Sequence, residues 1–154
     1  MSKSDVLEGQ WLDLYFNGTA IPDIAENDTT GPATTLTIGL HTADPGEAGD
    51  QTTNEATYLS YTRVTVARVV GSWLRAGSTI NPVVSISFPV ATAGGQPGDT
   101  IETLTHWSIG TGVTDNVGWS GTITPNIVIP VGGGGVQPTI RGNDNPPAST
   151  ITED

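Results

Sequence analysis

The chain has 154 residues, no cysteine, and Lys+Arg 5 against Asp+Glu 16, for a formal net charge of −11. That length suits one domain, and the missing thiols exclude a disulfide framework, thiolate metal sites, iron–sulfur ligation and a cysteine nucleophile. So acidic a surface repels phosphate backbones, which argues against a nucleic-acid partner.

With Gly 20, Pro 11 and some two dozen threonines, the composition favours turns and strands. One helix is expected, over residues 4 to 17. Ser4 is placed to N-cap it, Asp5 and Glu8 suit its positive end, and Asn17-Gly18 supplies a left-handed stop. Leu7, Trp11, Leu14 and Tyr15 form one apolar stripe, expected to cover the nearest sheet or a neighbouring subunit. Residues 22 to 32 read as a polar, acidic loop.

Thr34 to His41 alternates, with Leu36, Ile38 and Leu40 on one face, and predicts a half-buried strand. Ala43-Asp44-Pro45-Gly46 follows as a turn. An acidic loop from 46 to 57 comes next. Tyr58 to Val70 predicts a long strand with Val64, Val66 and Val70 aligned, and Val83 to Val90 a second with Val84, Ile86, Phe88 and Val90 inward. Ile101 to Ile109 predicts a strand with Ile101, Thr103, Thr105, Trp107 and Ile109 on one face. Val117 to Thr124 and Ile127 to Val131 read as two more strands divided by Pro125-Asn126.

Short strands at this spacing predict an all-β fold, an antiparallel β-sandwich or jelly-roll-like arrangement with one N-terminal helix. Gly132 to Gly135 reads as a flexible joint. It divides a helix-plus-sandwich domain, 1–131, from an extended C-terminal arm, 132–154, in which Val136 to Arg141 is expected to add a strand.

Signals for catalysis and for metals are poor. His41 and His106 show no paired spacing for zinc, no G-x-S-x-G elbow occurs, and the acidic loop lacks the calcium-loop pattern. No catalytic residue, metal or cofactor is expected. The N-terminus has no apolar signal region, and no run of apolar residues is long enough to span a bilayer, so synthesis in a cytoplasm and no membrane partner are expected.

The basic residues Arg63, Arg68 and Arg75 share a stretch free of carboxylates. They read either as complements to acidic loops of another copy or partner, or as pairs within the chain. Trp73 beside Arg75, Leu7 and Trp11 on the helix, and Arg141 in the arm complete the candidate interface.

The run Gly31-Pro32-Ala33-Thr34-Thr35 through His41-Thr42-Ala43-Asp44-Pro45, then Tyr61-Thr62-Arg63, resembles small structural proteins of tailed bacteriophages. Phe88-Pro89-Val90-Ala91, Thr105-His106-Trp107-Ser108-Ile109 and Asn116-Val117-Gly118-Trp119-Ser120-Gly121 continue the resemblance in order, over about residues 5 to 131. Members of that group are head decoration (cement) proteins or tail-fibre-like proteins. The resemblance implies a virion protein on the outer capsid surface. It would bind the major capsid protein and further copies of itself, with a trimer favoured. A tail or fibre part in host recognition, and a carbohydrate-binding β-sandwich module, are the alternative readings.

Overall fold

The structure, a computed structural model, describes residues 4–21, 32–111, 115–146 and 151–152. The acidic loop expected over 22–32 lies outside them apart from Pro32. The fold is all-β with antiparallel sheets and one N-terminal helix, as the sequence predicts. Its residues cluster into two units, each built from separated stretches of chain: 1–35, 66–86 and 140–154 in the first, 36–65 and 87–139 in the second.

The first unit carries helix α1, Asp5–Asn17. Ser4 caps it as expected, its hydroxyl accepting from the Leu7 N–H at 3.3 Å, and Gly18 ends it in a left-handed conformation at φ 66°. Its buried residues are Gly9, Leu12 and Phe16, spaced i, i+3 and i+7. This differs from the expected stripe. Leu7, Leu14 and Tyr15 are half-buried and Trp11 is 39 % exposed, because Leu12 and Phe16 fix which side faces the hairpin.

That hairpin is β3, Trp73–Ala76, antiparallel to β4, Thr79–Pro82, with β9, Ile151–Thr152, on the other side of β4. Phe16 meets the Trp73 ring edge-on at 4.7 Å, and the Trp73 indole N–H donates to Ala67 O at 3.1 Å.

The second unit centres on β1, Thr35–His41, β6, Glu102–Gly110, and β7, Trp119–Ile129. With β2, Val64–Ala67, they make a sheet in the order β2-β1-β6-β7. Leu36, Ile38 and Leu40 are buried as their alternation predicts. In β6 the expected face is broken. A register shift between Leu104 and His106 sets Thr105 against four residues of β7, so Glu102, Leu104 and Ile109 face inward while Ile101 is 66 % exposed. The two strands expected on either side of Pro125-Asn126 are one strand interrupted at that irregularity. Trp107 lies across the strand from Gly121, where an added Cβ would come within 2.6 Å of its ring.

Two long strand predictions shrink. Tyr58 to Val70 yields only β2, because Ser60 sits at φ 85° and the Tyr61 N–H closes a turn onto Tyr58 O. Val83 to Val90 yields only β5, Ile86–Ser87, paired with β8, Thr139–Ile140. Ile86 and Phe88 are buried, but Val84 and Val90 are exposed, since the Ser85 N–H goes to the Asp144 carboxylate and not to a neighbouring strand. The four glycines from 132 to 135 form a hydrogen-bonded left-handed turn, with φ of 75°, 71°, 60° and 69° and Gly133 buried.

Candidate interaction surface

In the second unit, His41, Ser108 and Gln51 form a chain of polar contacts. His41 Nδ1 lies 2.9 Å from Thr53 O and so must donate to it; Nε2, 2.7 Å from Ser108 Oγ, then accepts from that hydroxyl. Gln51 Nε2 donates to Ser108 Oγ at 3.2 Å and to Thr37 O at 2.8 Å. The Ser–His pairing has the atoms of a nucleophile and base, yet both residues are 0 % exposed, so no acyl group can reach the hydroxyl. It ties the 51–53 loop to the sheet.

Burial holds the His41 pKa below its ordinary value, against the pull of Thr53 O and Glu55, with Arg63 and His106 adding to the lowering. The unfolded chain therefore binds the proton first. Stability is expected to be complete above the unfolded histidine value of about 6.5 and to fall as pH drops from there through the folded value, by at most about 1.4 kcal/mol per pH unit from this residue. Urea unfolding between neutral and mildly acidic pH checks this, and His41→Gln is expected to flatten that part of the profile.

The candidate arginines are turned onto their own units. Arg63 forms ion pairs with Glu55, at 2.6 Å, and with Asp115, which raise its pKa. Arg68 donates to Tyr15 O at 2.6 Å, to Leu14 O and to Ala33 O at 3.1 Å, so it satisfies carbonyls in the last turn of α1. Arg75 reaches Asp13 at 2.6 Å and Gly77 O at 3.1 Å. Arg68→Met is expected to cost about 1–2 kcal/mol by unfolding in urea, because guanidinium hydrogen bonds to helix-end carbonyls are lost.

Trp73, expected at the surface, is 3 % exposed and belongs to the core of the first unit. Its ring is not available as an anchor. Trp11 and Arg141 are exposed, and Leu7 is half-buried.

What the surface does present is apolar side chains among carboxylates. In the first unit these are Val6, Trp11, Val69, Val70, Leu74 and Val84. In the second they include Ile101, which immediately precedes β6, and Val128 of β7, which lies opposite Thr103. Sequence alternation turned Val84 and Val90 inward and aligned Val70 and Ile101 with other strand residues, and so did not single out any of the four as a surface residue. Among the described residues no group of His, Cys, Asp or Glu is arranged to hold a metal ion. Among the described residues no helix is long and apolar enough to cross a membrane.

Residues 2–133 match the family model described as Gp80, podophage GP4 fiber I protein gp80. The chain belongs to the Gp80 family. No curated protein matches it. The Gp80 family is a phage structural fibre family and not an enzyme family, which places the chain among bacteriophage structural proteins of the virion. The family match ends at residue 133, so β8, β9 and the segment joining them lie beyond it.

Proposed function

We propose that this chain is a non-catalytic building part of the virion's fibre apparatus, holding neighbouring virion proteins through many modest contacts. The observation that carries the reading is the Gp80 family match over residues 2–133. The geometry supports it. The one Ser–His pair found among the described residues is sealed, while apolar side chains such as Trp11, Val70 and Ile101 stand exposed as contact points. Repetition on a symmetric particle raises the effective concentration of each contact, so none needs to be strong alone. The charge of −11 keeps free copies apart before assembly and favours a basic partner surface.

A second reading is decoration of the head, with the major capsid protein as partner and a trimer of this chain as the bound form. The motif order from Gly31 to Gly121 favours it, since it resembles the phage group that includes cement proteins. Gold-labelled antibody on intact particles separates the two. Label at fibres supports the first reading, label distributed over the head replaces it with the second, and label on neither overturns both.

A further inference from the structure

We infer that the segment 50–55 is an acid-released latch: it is fastened to β1 and β6 near neutral pH and lifts from them in mild acid, while the sheet beneath stays folded. This goes beyond the virion role and does not depend on it. The fastening is a chain of hydrogen bonds that leaves the segment and returns to it. Gln51 Nε2 donates to Ser108 Oγ at 3.2 Å, the Ser108 hydroxyl donates to His41 Nε2 at 2.7 Å, and His41 Nδ1 donates to Thr53 O at 2.9 Å. Every hydrogen points the same way, from Gln51 through β6 and β1 to Thr53. Gln51, Ser108 and His41 are all 0 % exposed, so the chain is closed off from solvent.

A chain of one direction has no room for a further hydrogen at His41 Nε2. Protonation puts a donor where the Ser108 hydroxyl now donates, and the hydroxyl hydrogen has to turn elsewhere. The unpartnered acceptor of the chain is Gln51 Oε1. Turning that amide to offer its oxygen gives up the bond of Gln51 Nε2 to Thr37 O, at 2.8 Å, and sets one oxygen against another. Gly39 brings no side chain to the spot, where a Cβ would lie 3.2 Å from Ser108 Oγ and 3.3 Å from His41 Nε2. The Tyr61 hydroxyl, near the same point, already accepts from the Leu40 N–H at 3.0 Å. A buried donor left without an acceptor costs more than the bond it replaces, and lifting the segment returns that donor to water.

Burial opposes the added charge most, as do Arg63 and His106, which sits opposite His41 in β6; Thr53 O and Glu55 on the segment favour it. Asp115 is paired with Arg63. Main-chain bonds report where the segment lies: Thr42 N to Asn54 O at 2.8 Å, Gln51 N to Asp115 O at 2.7 Å, and Ala56 N to Leu40 O at 2.8 Å. Leu36, Ile38 and Leu40 are buried on the opposite face of β1 from His41, so opening leaves that core in place.

Hydrogen exchange of the full chain followed by NMR, expressed as protection relative to the unfolded peptide at each pH, tests the latch. The amides of Thr42, Gln51 and Ala56 are expected to lose about tenfold in protection between pH 7 and pH 5. The Gly118 amide, which donates to Ile109 O at 2.7 Å in the sheet, is expected to keep its own. The His41 ring signals are expected to titrate over the same interval as the three amides. His41→Gln, which keeps a donor and an acceptor but takes up no proton, is expected to hold the loss under about twofold, and His106→Gln to leave it at about tenfold. Equal loss at Gly118 overturns the inference, because the whole sheet would then be opening. Unchanged protection overturns it, as does a His41 ring that titrates while the three amides stay protected, or a His41→Gln chain that still loses tenfold. If His41→Gln does not fold, the ring titration and the amides of the unaltered chain decide the matter.

Discussion

Glu102→Ala is expected to lower stability by about 3 kcal/mol. Glu102 is buried at the start of β6, yet its carboxylate is fully used. Oε1 accepts from the Thr57 N–H and hydroxyl, each at 2.7 Å, and Oε2 accepts from the Tyr58 N–H at 2.9 Å. Removing the carboxylate strands the buried Tyr58 N–H, at a desolvation penalty of about 1–3 kcal/mol, and also loses the two part-buried bonds from Thr57. The same contacts hold Tyr58, whose ring is buried beside Tyr61 and whose hydroxyl donates to Pro89 O at 3.0 Å. Burial first, and the nearby Glu102 second, push the Tyr58 pKa up to about 12, so the hydroxyl stays a donor at any pH at which the protein is handled. Thermal unfolding checks the effect, since about 3 kcal/mol corresponds to a fall of roughly 6–12 °C in a chain of this size. A shift of under about a degree would mean that the 57–58 backbone finds other acceptors.

Gly133→Ala is the second large effect. Its backbone is left-handed at φ 71°, and a Cβ there would lie 2.4 Å from Ala91 O and 2.8 Å from Ala93 N, both backbone atoms. Strain and collision act together, for an expected loss of about 3 kcal/mol. Gly135→Ala is the internal control. It shares the left-handed backbone at φ 69° but meets nothing within 4 Å, so only the conformational cost of about 1 kcal/mol remains. The turn they share is fastened by Gly132 N to the Asp99 carboxylate at 2.9 Å, Gly133 N to Pro130 O at 2.9 Å, and Val136 N to Gly133 O at 3.1 Å. Urea midpoints with unchanged slopes would measure both variants. Equal losses at 133 and 135 would contradict the close approach to Ala91.

These cases mark which parts of the fold can be read locally. The helix was legible because its signals are neighbours in the chain: Ser4 with Leu7 at one end and the left-handed Gly18 at the other. Strand β1 was legible because Leu36, Ile38 and Leu40 alternate without interruption. The phase of β6 was not, because the shift at Leu104 to His106 is made by pairing with β7 and leaves no mark on β6 alone. Val84 carried a strand-like pattern, but what ends that pattern is Asp144, which binds the neighbouring Ser85 from 59 residues away. The tetraglycine run illustrates the same limit. Composition alone describes a flexible joint, and only its hydrogen bonds to Asp99 and Pro130 make it a fixed turn.

The surface was harder still. Arg63, Arg68 and Arg75 stood out in sequence as basic residues without nearby carboxylates, yet their partners are supplied by chain 8 to 62 residues distant, at Glu55, Asp115, Tyr15 and Asp13. Trp73 has the composition of an interface anchor and the position of a core residue, packed on Phe16. The exposed aliphatics, by contrast, came from alternation read one strand too far.

The proposed role requires this chain to be a repeated, non-enzymatic component of the particle. Quantitative mass spectrometry of gradient-purified, nuclease- and salt-washed virions tests that claim most directly. A building part of the virion is expected in every preparation at a fixed, multiple-copy ratio to the other virion proteins. Its loss on washing, or its presence only in the lysate of infected cells, would contradict it.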